Sequence, residues 1–137
     1  MKKVIVDTNI LFSVLLGKSK NLREAILSEK NVTFYSCKFI FVELFKYKDK
    51  IQAKSSLDED EILELLHTLL SKIKIFNEES ITNDSLKKAY DLCKDIDEKD
   101  TPFVSVTIEL SGLLWTNDKK LKDSLRAKGF DSFFEMS

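Results

Sequence analysis

The segment VIVDTNILF, residues 4–12, places three polar residues inside an otherwise apolar run. Its first three residues are the β-branched and aliphatic type that favours a buried strand, and the run that follows Asn9 predicts a helix over residues 9–16. A buried strand that ends on Asp7 and turns at once into a helix is typical of parallel α/β sheets, whose ligands bind beyond the carboxyl ends of the strands.

The composition is that of a globular protein. The chain has 137 residues, of which 43% are hydrophobic and 33% charged, so we expect a single domain over residues 1–137. No apolar run approaches the roughly 20 residues of a membrane helix, and the N-terminus lacks the features of a signal peptide, so we expect a cytoplasmic protein without a membrane partner. A net charge of −1 argues against a broadly basic nucleic-acid-binding surface.

The cysteine and histidine content argues against a zinc site and against a histidine-based triad. Cys37 and Cys93 lie far apart and outside any Cys-x-x-Cys motif, and they are interpreted as buried free thiols. His67 is the only histidine, and no nucleophile motif accompanies it, so it is interpreted as a packed or surface residue.

Strand-like and helix-like segments alternate along the chain. Strands are predicted at residues 3–7, 32–36, 74–78, 112–118 and 132–136. Helices are predicted at residues 9–16, 19–30, 37–54, 56–73, 85–96, 101–110 and 119–129, with Ser19 or Asn21 as the cap of the second. Strands separated by helices require crossover connections, so the prediction is a three-layer α/β/α sandwich around a central parallel sheet.

Two of these strands run into an aspartate. Asp7 follows the first strand, and Asp118 follows the strand that contains Trp115. If the sheet is parallel, both carboxylates emerge at the same edge. Two further acids stand out by their setting: Glu43 lies in the apolar stripe of a helix, and Asp100, with Asp97 as a weaker companion, precedes the apolar start of another.

Each acid also has a purely structural interpretation. Asp7, Asp100 and Asp118 all stand where a helix begins, and aspartate is a favoured helix N-cap. Glu43 has Lys46 and Lys50 as possible ion-pair partners. If the four acids converge instead, they would repel one another unless a cation neutralised them, and oxygen ligands without Cys or His favour Mg²⁺ or Mn²⁺.

Four segments together resemble the PIN domain, the fold of many metal-dependent ribonucleases and of VapC-type toxins: VIVDTNIL, YSCKFIFVEL, DTPFVSVTIEL and LLWTNDKKL. The resemblance implies a strand order of 3-2-1-4-5 and a metal site, also the catalytic site, made of Asp7, Glu43, Asp100 and Asp118. It also implies that Asn9 and either Thr116 or Ser36 orient the carboxylates or water. The chain departs from many relatives in its bulky FIFVEL helix, and Asp97 competes with Asp100 as the third acid.

The four acids together with this resemblance imply a Mg²⁺- or Mn²⁺-dependent endoribonuclease of the toxin–antitoxin type, with RNA as substrate, an antitoxin protein as partner and a homodimer as the form expected from the family. Single-stranded DNA remains open as a substrate. The alternative is a non-catalytic PIN-like module that binds nucleic acid or protein. Other phosphohydrolases fit less well, since the chain has no P-loop glycines. Two groups of lysines flank the acids and either contact RNA phosphates or form solvated helix faces: Lys46, Lys48, Lys50 and Lys54, and Lys119, Lys120 and Lys122.

Overall fold

The computed structural model describes residues 1–136. Within them, one parallel sheet contains four strands in the order β3-β2-β1-β4: β1 (Lys2–Val6), β2 (Val32–Cys37), β3 (Ile73–Phe76) and β4 (Leu113–Trp115). The α-helices are α1 (Thr8–Leu15), α2 (Lys20–Ser28), α3 (Phe39–Lys46), α4 (Lys48–Lys54), α5 (Glu59–Ser71), α6 (Asn83–Cys93), α7 (Thr101–Glu109) and α8 (Lys119–Ala127).

The connections place helices on both faces of the sheet. From β1 the chain moves outward to β2 and β3, and it then returns across the sheet to β4 on the other side of β1. Because parallel crossovers are right-handed, α1 to α5 cover one face and α6 to α8 cover the other. Accordingly, α1 packs against α2, α3 and α5, while α6 packs against α7. The predicted three-layer α/β/α architecture is confirmed.

Strand β1 lies in the centre of the core. Val4, Ile5 and Val6 are fully buried, as expected of a parallel strand that is covered on both faces. The register pairs Val6 with Trp115 in β4. Gly112, the residue before β4, allows the backbones of β1 and β4 to approach closely, because a Cβ atom there would lie 2.7 Å from the backbone oxygen of Lys3.

Several helix starts follow their capping signals. Ser19 caps α2 by accepting a hydrogen bond from the backbone N–H of Leu22, which decides between the two caps that the sequence offered. At α5 the Asp58 carboxylate accepts from the N–H of Glu61, whose own side chain accepts from the N–H of Asp58. This capping box satisfies donors that have no partner within the helix.

Two predicted elements differ from the structure. The helix predicted over residues 37–54 is two helices, α3 and α4, because the backbone leaves helical geometry at Tyr47 (φ −105°, ψ 12°). The Tyr47 ring packs edge-on against Phe12, with ring centroids 5.6 Å apart. The strand predicted over residues 132–136 is reduced to a single parallel bridge between Phe133 and Leu114, at the position expected for a fifth strand. Strand β4 has only three residues and offers little length for pairing.

The two cysteines and the histidine lie where they were expected. Cys37 and Cys93 are buried free thiols, and burial raises their pKa values to about 12 and about 11. His67 is exposed on α5. None of the helices in residues 1–136 is long and apolar enough to cross a membrane.

Candidate functional site

The site lies where the chain leaves β1 and β4. These strands are neighbours in the sheet, and the segments that follow them turn toward opposite faces, α1 on one side and α8 on the other. In open α/β sheets such a point leaves a crevice beyond the carboxyl ends of the strands. Asp7 and Asp118 follow these two strands, so the parallel sheet brings them to the same edge, as predicted.

Asp7 is placed by the sheet itself. Its backbone N–H donates to the Trp115 carbonyl (2.9 Å), which extends the pairing of β1 and β4 by one residue. It occupies the N-cap position of α1, but its side chain makes no capping hydrogen bond. The side chain is buried, with 6% of the residue exposed. The structural interpretation of this acid as a cap is therefore not borne out.

The Asp7 carboxylate is held by two polar side chains. Thr116 Oγ1 donates to Asp7 Oδ2 at 2.8 Å, and Asn9 Nδ2 donates to the same oxygen at 3.2 Å. Asn9 Nδ2 also lies 2.9 Å from Thr116 Oγ1, so the three side chains form a closed network. Ser36, the other candidate support, donates instead to the Val6 carbonyl (2.9 Å) and contacts none of the acids.

Asp118 has both a capping contact and a place beside this network. Its Oδ1 accepts a hydrogen bond from the backbone N–H of Leu121 (3.0 Å), which caps α8. Its own backbone N–H donates to Thr116 Oγ1 at 3.2 Å. The preceding residue, Asn117, donates its N–H to Asn9 Oδ1 at 3.0 Å. Asp118 is exposed to solvent, in contrast to Asp7.

Glu43 reaches the site from α3. It is half-buried, and its Oε1 accepts a hydrogen bond of 2.7 Å from Thr8 Oγ1. Within residues 1–136, neither Lys46 nor Lys50 forms an ion pair with it, so the structural interpretation offered for Glu43 does not hold. The role of Thr8 was missed at the level of sequence. The available signal was its position, a polar residue directly after Asp7 at the start of a helix.

Asp100 lies next to the other acids, whereas Asp97 is turned to solvent. Asp100 is half-buried at the start of α7 and makes no capping hydrogen bond. Burial, followed by the charges of Asp7, Asp97, Asp118 and Glu43, raises its pKa to about 7. Asp97 is exposed and accepts from the backbone N–H of Lys99 at 3.0 Å. The geometry therefore favours Asp100 over Asp97 as the third acid of the group.

Burial and repulsion also act on Asp7. Its pKa is raised to about 6, mainly by burial and further by the charges of Glu43 and Asp118, although the Thr116 hydroxyl and the Thr8 backbone N–H oppose the shift. No lysine or arginine within residues 1–136 forms an ion pair with any of the four acids. The four carboxylates therefore share one electrostatic environment that has no cationic partner from the described chain.

The fit to a metal ion rests on donor chemistry. Carboxylate oxygens, with neither Cys nor His among them, are the ligands that Mg²⁺ and Mn²⁺ prefer. Across the described part of the chain, however, no three Asp, Glu, His or Cys side chains lie close enough together to hold an ion as they stand. The acids are electrostatic neighbours, but their side chains do not form a closed coordination shell.

All of the lysines of these two groups except Lys122 are exposed. Lys46 Nζ lies 5.3 Å from the centre of the Tyr47 ring, and Lys48 Nζ lies 4.5 Å from the centre of the Phe45 ring. Lys122 is paired with Glu135 at 3.2 Å. The remaining members of the two groups, Lys50, Lys54, Lys119 and Lys120, are exposed.

One face of α3 points away from the core. Phe41, Val42 and Phe45, here called the outer face of α3, are 43%, 56% and 73% exposed. Large apolar side chains that are contiguous and exposed mark interaction surfaces more often than isolated ones do.

Comparison with known proteins identifies one family and several solved structures of similar fold. A model of the PIN domain family matches residues 5–128. The structure is similar to that of VapBC2 from Rickettsia felis bound to a DNA fragment from their promoter (TM-score 0.67, 19% identity, 88% of this chain and 92% of that chain covered). It is also similar to PAE2754 from Pyrobaculum aerophilum (TM-score 0.62, 15% identity, 90% and 79% covered). No curated protein sequence matches the chain.

Proposed function

The chain belongs to the PIN domain family, and from this premise we propose that it is a divalent-metal-dependent endoribonuclease. In this proposal residues 1–137 act as one domain in the cytoplasm, Mg²⁺ or Mn²⁺ is the cofactor, and Asp7, Glu43, Asp100 and Asp118 are both the metal ligands and the catalytic residues. The observation that carries it is the shared electrostatic environment of these acids, because a bound cation offsets the burial and mutual repulsion that raise the pKa values of Asp7 and Asp100.

The proposed metal supplies Lewis acidity that activates water and offsets charge on a phosphodiester. The chain's own residues supply orientation. Thr116 and Asn9 direct the Asp7 carboxylate, and the N–H of Leu121 fixes one oxygen of Asp118. Partners of this kind set ligand geometry, and their loss typically lowers metal affinity or activity by about 10- to 100-fold.

The toxin–antitoxin assignment is the finer part of the proposal. It is supported by the resemblance of the sequence to VapC-type toxins and by the fold shared with VapBC2. We propose an antitoxin protein as partner, with the outer face of α3 as a candidate contact surface, and a homodimer as the assembled form. RNA is the proposed substrate, with the exposed lysines beside the acids as candidate phosphate contacts.

A second function, a non-catalytic module that binds nucleic acid or protein, is favoured by one observation. No three potential ligands within residues 1–136 are grouped tightly enough to hold an ion without rearrangement. The two functions differ in whether the acids must close around a cation and in whether RNA is cut.

The deciding experiment is cleavage of end-labelled single-stranded and structured RNA by the purified protein, with Mn²⁺ and with a chelator. Single-stranded DNA is run in parallel. We expect metal-dependent cleavage that is lost in Asp100→Asn and retained in Asp97→Asn, a matched control on an exposed aspartate three residues earlier. Metal binding without cleavage of any substrate would favour the binding module. Equal loss in both variants would contradict the choice of Asp100.

A further inference from the structure

Thr8 bonds across the molecule rather than within its own helix. It is the first residue of α1 and is 2% exposed, and its hydroxyl donates to Glu43, 35 residues away on α3. Thr107, inside α7, donates its hydroxyl to the Phe103 carbonyl one turn earlier at 2.8 Å, but Thr8, as the first residue of α1, has no helical carbonyl at that distance. The only side-chain donor of Thr8 therefore binds an acid of the candidate site.

Glu43 needs such a partner to stay in place. Its side chain is long and half-buried, and it lies among carboxylates whose charges repel it. Thr8 Oγ1 is the one hydrogen-bond donor to its side chain within the described residues. Without that bond, repulsion favours rotation of the Glu43 carboxylate toward solvent.

The three polar residues that interrupt the first apolar run divide their contacts between two sides of the site. Asp7 supplies a carboxylate, and Asn9 turns to Thr116 on the β4 side. Thr8 turns the other way, to α3. A single tripeptide therefore connects the end of β1 to Thr116, 109 positions after Asp7, and to Glu43, 35 positions after Thr8.

We propose that Thr8 is the positioning residue for Glu43: its hydroxyl holds Oε1 and so keeps the carboxylate at the candidate site, where Glu43 would be one of the ligands of a divalent cation. The inference rests on the proposed function, since it specifies how one of the proposed ligands is held. Thr8 itself contacts neither the metal nor the substrate in this scheme.

The test compares Thr8→Val, which keeps the shape but removes the hydroxyl, with Thr8→Ser, which keeps the donor. Thr107→Val is the matched control, because it removes a buried threonine hydroxyl from a helix away from the acids. Mn²⁺ affinity is measured by isothermal titration calorimetry, and RNA cleavage is measured in parallel. We expect Thr8→Val to weaken Mn²⁺ binding by about 10-fold, Thr8→Ser to restore most of it, and Thr107→Val to leave it unchanged.

A double-mutant cycle separates positioning from general stability. In a Glu43→Gln background, Thr8→Val should cause little further loss of Mn²⁺ affinity, because the carboxylate that it orients is already gone. If Thr8→Val does not fold, Thr8→Ala, which also lacks the hydroxyl, replaces it with the same expectation.

The outcomes distinguish this inference from the proposed function. If wild-type protein binds Mn²⁺ and cuts RNA while Thr8→Val matches it in both, only the role of Thr8 is overturned. The same holds if Thr8→Val merely lowers stability or if its effect is additive with that of Glu43→Gln. If wild-type protein neither binds Mn²⁺ nor cuts RNA, the proposed function fails, and the inference fails with it.

Discussion

Helices α1 and α5 both begin at an aspartate in the N-cap position, and the two carboxylates behave in opposite ways. At α5, Asp58 is exposed and its side chain accepts from the helix backbone in a capping box. At α1, Asp7 is buried, and its carboxylate accepts hydrogen bonds from Thr116 and Asn9 instead. The helix is left without a side-chain cap.

The difference teaches that the same residue at the same helix position can serve either stability or a site. Asp58 gains stability from its helix at little desolvation cost, because it stays in solvent. Asp7 is desolvated beside other acids, so its charge costs stability, and its pKa rises to about 6. A buried carboxylate that does not serve its helix therefore indicates a functional role.

The largest effect is expected at Asp7. Asp7→Asn keeps a side-chain oxygen for Thr116 but removes the charge, so metal-dependent RNA cleavage should fall by about 100-fold or more. The melting temperature of the metal-free variant at neutral pH should equal or exceed that of wild type, because the variant no longer buries a charge and no longer repels Glu43 and Asp118. Cleavage of end-labelled RNA and differential scanning calorimetry measure the two quantities.

A marked loss of stability in Asp7→Asn, comparable to the loss of a core residue, would break the comparison. It would mean that the charge at Asp7 supports the fold in the same way as the charge at Asp58.

The next effect is a pH dependence of stability in the metal-free protein. The pKa values of Asp7 and Asp100 are about 6 and about 7 in the fold, against 3.8 as the ordinary value. Between the ordinary and the raised pKa values, the folded state binds more protons than the unfolded state. The stabilisation of the fold by these two acids is therefore fully present below about pH 4 and is lost as the pH rises through 6 to 7. The raised pKa of Asp7 alone corresponds to a decrease of roughly 3 kcal/mol in the free energy of unfolding between the acid and the alkaline side.

Urea unfolding at several pH values with a chelator measures this dependence. Asp7→Asn should flatten the profile, and saturating Mn²⁺ should restore stability on the alkaline side, where the carboxylates are charged. A wild-type profile that is flat between acid and neutral pH would show that neither burial nor repulsion raises the pKa values of the two acids in the fold.

The smallest effect is expected at α5. Asp58→Ala removes the capping box and should lower the free energy of unfolding by about 1 kcal/mol, while Asp58→Asn should retain most of the cap. Neither variant should alter RNA cleavage or Mn²⁺ affinity, because the hydrogen bonds of Asp58 stay within the start of α5 and involve none of the four acids. Urea unfolding and the cleavage assay test both statements, and a loss of cleavage in Asp58→Ala would contradict the separation of the two roles.

Local patterns predicted much of the fold. Runs of β-branched residues and helical stripes gave the parallel sheet and its flanking helices, because burial on both faces leaves a plain apolar signature. The break at Tyr47 has no such signature, since neither Pro nor Gly marks it and it coincides with packing against Phe12. The prediction of the last strand failed for a similar reason. Residues 132–136 suit a strand, but a strand also needs a paired neighbour, and the three-residue β4 forms only one bridge with them.

The site was predictable where sheet topology alone determines it. Asp7 and Asp118 lie at the same edge of the sheet because adjacent parallel strands end there, and that follows from the sequence once the sheet is assigned. The contact of Thr8 with Glu43 depends on how α3 packs against α1, which one sequence does not reveal. The choice between Asp97 and Asp100 likewise depended on which of the two the turn before α7 buries. The roles of these acids remain predictions for the experiments above.

Trp115 is the only tryptophan of the chain, and it ends β4 one residue before Thr116. It is 3% exposed between the rings of Phe34 and Phe134, and its carbonyl accepts from the N–H of Asp7. The molecule therefore contains its own optical reporter. Intrinsic fluorescence excited at the indole reports from the strand end that carries the acid network, so loading of the site and loss of the fold can be followed without an attached dye.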